Sequence, residues 1–206
     1  MLKKGYKILE GLIKTPWKRF TFKEIKRATK NKSDSYVFGV LKGFVKQGIL
    51  LEEKAGNVVL YYLNISSLKT QIYTGFVAEY IGWSKRFIPY KDLEKISKKI
   101  PNMDYVFVIT GSYANNTQKK NSDIDVVILI DDSANPKKVY AELQHVCELN
   151  IPQIHLYVFK NNEFLAMLNS KKANYGKEIV KNNLILAGGQ FYMRIISEAM
   201  ENGFND

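Results

Sequence analysis

Apolar residues recur at helical spacing near the start of the chain, where Ile8, Leu9, Leu12 and Ile13 share one face and the pattern ends before Pro16. Thr21 and Glu24 form a capping box, Thr-x-x-Glu, which opens a short second helix with Ile25 and Ala28 turned inward. After a polar turn at 30–33, Val37, Val40, Leu41, Phe44 and Val45 mark one face of a third helix that Gly48 stops. Ser35, Gly39, Lys42 and Lys46 take its opposite face. The period then changes to that of strands: 49–53 and 58–63 read as a hairpin through the turn Lys54-Ala55-Gly56-Asn57.

Beyond the hairpin, 66–83 carries Leu68, Ile72, Phe76, Ala78, Tyr80 and Ile81 at spacings that predict a helix bridging two modules, with Trp83 and Phe87 as packing residues. A short helix with Leu93 and Ile96 follows Pro89. The β-branched and aromatic runs 105–110 and 124–130 predict two buried strands. Asn135-Pro136, a cap followed by proline at the first helical position, opens a helix to about Leu149 with Val139, Leu143 and Val146 inward. His145 and Cys147 on it read as packing or surface residues. A strand at 153–159, one or two helices between 162 and 181, a short apolar run at 184–187 and a last helix from Gln190 to Met200 complete the pattern. The expected class is mixed α/β (α+β), with a helical and hairpin module at 1–65, a helical linker at 66–100 and an α/β module at 101–206.

Composition narrows the setting. With 46% hydrophobic residues among 206, the chain has ample material for packed cores. No apolar run approaches the ~18 residues of a membrane span, and nothing resembles a signal peptide, so a cytoplasmic protein with no membrane partner is expected. The single cysteine, Cys147, excludes an internal disulfide, and two histidines do not make a zinc cluster. The net charge of +11 is uneven: residues 1–70 hold 15 Lys and Arg against 5 Asp and Glu, leaving the rest near neutral. Basicity concentrated in the first third points to a polyanionic partner, DNA or RNA, more than to a membrane surface.

The stretch Gly111–Val127 constrains function most. A strand ending at Gly111-Ser112 can open a short helix over 112–116 whose free backbone N–H groups face an anion such as phosphate. Asp123 and Asp125 lie two apart at the head of the next strand, so both carboxylates project from one face, roughly 7 Å apart at Cα. That suits two ligands of Mg²⁺, which takes carboxylate oxygens together with substrate phosphates. Either half alone is common as a plain turn or a solvated strand entry. Their combination, in this order, resembles the polymerase-beta-like nucleotidyltransferase superfamily, in particular its minimal members, over roughly 104–187.

The resemblance implies that Gly111 and Ser112 hold the β- and γ-phosphates of a nucleoside triphosphate. It also implies that Asp123 and Asp125 bind Mg²⁺, and that a nucleoside monophosphate passes to an acceptor hydroxyl. Three departures stand out. Asn115-Asn116 replaces a frequent Arg-Gly, the loop is slightly long and holds Lys119 and Lys120, and the strand that should bring a third carboxylate offers His155. A neutral imidazole there could take the acceptor's proton. Three helices and a hairpin in a segment of net +10 also resemble a winged helix-turn-helix domain. That implies DNA contacts from Ser35, Lys42 and Lys46 on the third helix and Lys54 on the wing. Two further readings compete with the enzyme: a DNA-binding regulator or partner-controlled module with a weak or inactive nucleotidyltransferase domain, and an adaptor with neither activity. Acceptor, nucleotide preference, DNA site and oligomeric state are not encoded legibly.

Overall fold

In the computed structural model, which describes residues 5–30, 33–101 and 103–205, the chain is mixed α+β and builds two sheets. The turn expected at 30–33 lies partly outside those residues. The first third runs α1 (Tyr6–Lys14), β1 (Phe20–Thr21), α2 (Phe22–Thr29), α3 (Asp34–Lys46), β2 (Leu50–Ala55) and β3 (Val58–Leu63). Helix α1 buries Ile8, Leu9, Leu12 and Ile13 as its spacing predicts. The capping box of α2 is complete: Glu24 N–H donates to Thr21 Oγ1 at 3.2 Å, and Thr21 N–H donates to Glu24 Oε2 at 2.8 Å. Ala28, expected inward, is exposed, because this short helix anchors through Ile25 with Phe22 and Thr29 half-buried beside it.

Helix α3 buries Val37, Leu41 and Phe44 and ends as expected at Gly48, whose left-handed φ of 72° lets its own N–H reach Val45 O and the Ile49 N–H reach Phe44 O. The hairpin turn is tighter than expected. Ala55 pairs with Val58, so β2 runs through Lys54 and Ala55, and the turn is only Gly56-Asn57, with positive φ at Gly56. A two-residue strand that periodicity cannot reveal, β1, adds antiparallel to β3, giving the order β1-β3-β2.

Helix α4 (Leu68–Gly82) occupies the bridging segment and buries Val77, Ala78 and Ile81, but its first half departs from a simple apolar-inward reading. Leu68, Ile72 and Phe76 are exposed, while Thr70, Gln71, Thr74 and Gly75 are buried. The cause is close approach: a Cβ on Gly75 would lie 2.4 Å from the Gln190 nitrogen, so α4 meets the start of the last helix backbone to backbone. The buried polar groups are satisfied locally, Gln71 Nε2 donating to Ile65 O at 3.0 Å and Thr74 Oγ1 to Thr70 O at 2.6 Å.

The remainder runs α5 (Tyr90–Ser97), β4 (Tyr105–Thr110), α6 (Gly111–Asn115), β5 (Ile124–Ile130), α7 (Pro136–Glu148), β6 (Ile154–Lys160), α8 (Asn161–Asn169), α9 (Tyr175–Lys181), β7 (Leu184–Ala187) and α10 (Gly189–Glu201). Its sheet has the order β6-β5-β4-β7, with β5 antiparallel to β4 and parallel to β6, and β7 antiparallel to β4. Alternation sends Phe107, Ile109, Val126 and Ile128 into one core with Leu93, Ile96, Val139 and Leu143 of α5 and α7. Val106, Val108, Val127 and Leu129 face the other way, into a core shared with α4, α8, α9 and α10 and with the first-third helices. Cys147 is buried, and its thiol is pushed up to about 11 by burial and by Glu148. Among the described residues no helix is long and apolar enough to cross a membrane.

Candidate active site

Three strand ends meet at one end of the larger sheet. Register places Thr110 of β4 beside Asp125 of β5, and Asp125 beside His155 of β6. Gly111 follows Thr110 directly, and Asp123 precedes β5, so every residue expected of the nucleotide and metal site falls within one neighbourhood. His155, which alternation puts on the same face as Asp125, lies between the two carboxylates: Nε2 is 3.5 Å from Asp123 Oδ2 and Nδ1 is 3.6 Å from Asp125 Oδ1.

Gly111 has a reason to be glycine. Its φ is +65°, and an added Cβ would stand 2.2 Å from Asp125 Oδ2. The chain therefore turns from β4 into α6 while a carboxylate packs against the turn's backbone. The first N–H groups of α6 have no intrahelical partners, and Thr110 offers no side-chain cap. Gly111→Ala is expected to lower stability by about 1–2 kcal/mol, roughly 2–8 °C in melting temperature, from left-handed strain alone. It should also displace Asp125; thermal melts and triphosphate titration of the variant check both effects.

The loop from α6 to β5 explains two departures. Asn116 adopts a left-handed φ of 58°, a conformation glycine takes freely and asparagine tolerates. Lys119 N–H donates to Ser122 Oγ at 2.8 Å and Ser122 N–H donates to Lys119 O at 3.0 Å, a turn that leaves Lys119 and Lys120 exposed at its tip.

The two carboxylates differ in environment. Burial raises the Asp125 carboxyl above its usual range, the nearby His155 opposes this, and Asp123 adds to it. Asp123 is the more open, with 43% of its side chain exposed against 29% for Asp125. The donors fit a hard cation: two carboxylates two residues apart, with Gly111 leaving room for the inner one. Among the described residues no group of three or more His, Cys, Asp or Glu is arranged to hold a metal by itself, so phosphate oxygens and water would have to complete the shell.

Tyrosines also surround the site. Tyr113 of α6 is buried, and burial and Asp123 push its phenol up. Tyr175, at the start of α9, is pushed up by burial first, then by Tyr157 and Asp125, and its ring lies 4.9 Å from that of Tyr157. Alternation puts Tyr157 on the strand face of His155, whereas Tyr113 and Tyr175 carried no signal that periodicity could find. The residues expected to touch DNA stand elsewhere. Ser35, Lys42, Lys46 and Lys54 are all exposed, but Lys42 Nζ bonds Glu52 at 2.8 Å.

No curated protein matches the chain. Among solved structures, a chain titled as a toxin-antitoxin with AMP-PNP aligns at 16% identity and a TM-score of 0.37, over 55% of this chain and 86% of that one, too distant a likeness to carry an argument. Residues 91–186, from α5 into β7, match the family described as Nucleotidyltransferase domain, and that segment holds Gly111, Ser112, Asp123, Asp125 and His155.

Proposed function

We propose that the chain transfers a nucleoside monophosphate from a nucleoside triphosphate to an acceptor hydroxyl, with Mg²⁺ as cofactor, and that residues 1–65 form a winged helix that binds DNA. The transfer reading is carried by one observation: Asp125 packs against a glycine turn that has no room for a Cβ, beside Asp123 and at the mouth of α6. In this reading the backbone N–H groups at Gly111 and Ser112 hold the β- and γ-phosphates, and the Asp123 and Asp125 carboxylates hold the ion. Bound there, Mg²⁺ would neutralise charge developing on the transferring phosphoryl group. His155, on the acceptor side of the carboxylates, accepts the proton that the attacking hydroxyl loses. Incubating the chain with triphosphates labelled at the α-phosphate, with and without Mg²⁺ and candidate acceptors, tests it. Absence of both triphosphate binding and covalent label would sink it.

The imidazole between the carboxylates also favours a second reading, in which the domain binds nucleotide but turns over slowly because a third hard oxygen ligand is missing. Single-turnover rates separate the two.

The DNA-binding part is supported by the element order α1-β1-α2-α3-β2-β3, by the exposed Ser35, Lys42 and Lys46 of α3 and by the local charge. Lys46 and Lys54 have no ionic partner among the described residues, whereas Glu52 already holds Lys42. Binding to duplex DNA is therefore expected to fall by about 0.9 log units per phosphate contact for each tenfold rise in salt. Lys46→Glu should weaken it more than Lys42→Glu. Mobility shifts over a salt series measure this; no shift at low salt would make the module a protein-interaction domain.

A further inference from the structure

We infer that the acceptor hydroxyl belongs to a polypeptide, presented by an extended segment that adds to the free edge of β6; the inference rests on the nucleotidyl-transfer reading above. The first step is the order of parts across the sheet. Gly111 and Ser112 follow β4, the carboxylates head β5 and His155 stands on β6, three successive strands about 4.8 Å apart. Attacking and leaving oxygens lie roughly in line across the transferred phosphorus. With the β- and γ-phosphates over β4 and α6, pyrophosphate departs on that side and the attacking hydroxyl arrives from the side of β6.

That side is an open sheet edge. Among the described strands β6 pairs with β5 alone. Ile124 N–H donates to Gln153 O at 2.9 Å, so in a parallel ladder Gln153, His155 and Tyr157 turn their backbone groups toward β5, and Ile154, Leu156 and Val158 turn theirs outward. Exposed edges are normally blunted by charge or proline. Within β6 the only charged residue is the last, Lys160, at the end away from Asp125, and the nearest proline, Pro152, precedes the strand, so Ile154 to Phe159 carry neither device. A cleft of about 290 Å³ runs along the edge, bounded by Tyr140 and Gln144 of α7 and by Gln153, His155 and Tyr157. Just before the strand, Leu149 is 69% exposed and Ile151 91% exposed.

Charge selects the occupant. Lys137 and Lys138 at the start of α7 and Lys160 at the end of β6 lie at the far end of the edge; from 139 to 159, the stretch leading to His155, the chain has no lysine or arginine and two glutamates, Glu142 and Glu148, although the whole protein is +11. A nucleic-acid acceptor would bring phosphates to the stretch beside His155, whose own charges are the two carboxylates of Glu142 and Glu148, which forfeits there the counterion release that drives such binding. An uncharged or basic polypeptide meets no such penalty. It would gain main-chain hydrogen bonds from Ile154, Leu156 and Val158 and apolar contact with Ile151 and Tyr140. In the transfer, the hydroxyl oxygen bonds to the α-phosphorus and the bond from that phosphorus to the oxygen bridging the β-phosphate breaks. Pyrophosphate leaves with the electron pair, the proton passes by way of the His155 imidazole to water, and the product is a phosphodiester on the side chain.

The test uses the full chain with Mg²⁺ and triphosphates labelled at the α-phosphate. One arm is a library of ten-residue peptides with a central serine, threonine or tyrosine; the other is DNA and RNA oligonucleotides with free 3′-hydroxyls. Label should enter peptides, and should drop about tenfold or more when alternate peptide residues are proline or when Leu149→Lys and Ile151→Lys are combined. Without nucleotide or metal, the best peptide should slow amide exchange at Ile154, Leu156 and Val158. Preferential labelling of oligonucleotides, equal labelling of proline-bearing peptides, or unchanged exchange along β6 would each overturn the inference while triphosphate binding persists. A chain that binds no triphosphate removes the nucleotidyl-transfer reading itself, and this inference with it.

Discussion

Asp125→Asn and Asp123→Asn are each expected to abolish Mg²⁺-dependent triphosphate binding while leaving the fold in place. Both carboxylates stand at the solvent-reachable head of β5, and neither bonds a backbone group on which the sheet depends. Removing a direct oxygen ligand should exceed the ~10–100-fold loss that changes in the outer shell of a metal cause. Asp125 is the inner of the two and is held partly protonation-prone by burial, so its replacement by a neutral amide relieves a partly buried charge. Melting temperature without Mg²⁺ should stay within about 1–2 °C of wild type, the response to ~0.5 kcal/mol in a chain of this size. Calorimetric titration of triphosphate with and without Mg²⁺, paired with thermal melts, measures both halves. Unchanged affinity in both variants would remove the metal site; a collapsed melt would make the carboxylates structural.

The parts of this protein legible in its sequence are those in which local pattern and tertiary context agree. The runs at 105–110 and 124–130 became β4 and β5 with the expected bounds, because both faces of each are buried and a continuous β-branched run has no competing use. Alternation along β6, with Asp125 paired to His155, puts the imidazole on the face of the inner carboxylate. Helix α4 was legible as a helix and not in its orientation. Its apolar stripe at Leu68, Ile72 and Phe76 invites an inward reading, yet Gly75 against Gly189 lets backbones touch only if the small and polar face turns in. Long-range pairings were also invisible: Glu52 on Lys42, and Tyr175 beside Tyr157 near Asp125, join residues whose sequence neighbours give no hint of the contact.

His155 is where substitution should gain function. Its side chain is 47% exposed and lies between both carboxylates, so it contributes little packing and occupies the place where a third oxygen ligand would sit. His155→Asp brings a third negative charge beside Asp123 and Asp125. Without Mg²⁺ that repulsion should lower the melting temperature and push the Asp125 carboxyl further up. With Mg²⁺ the same three oxygens bind the ion more tightly. Saturation at about 100 times the dissociation constant returns roughly 2.7 kcal/mol, enough to restore and exceed the wild-type melt. Nucleotidyl transfer should rise by about tenfold or more, since a hard cation favours carboxylate over imidazole. His155→Ala, lacking both ligand and proton acceptor, should fall below wild type with an unchanged melt. Single-turnover transfer rates and melts of the two variants, each with and without Mg²⁺, separate the possibilities. An Asp variant that stays destabilised in Mg²⁺ and gains no rate would show that His155 does not stand in a ligand's place. Equal rates for wild type and the Ala variant would remove its role as proton acceptor.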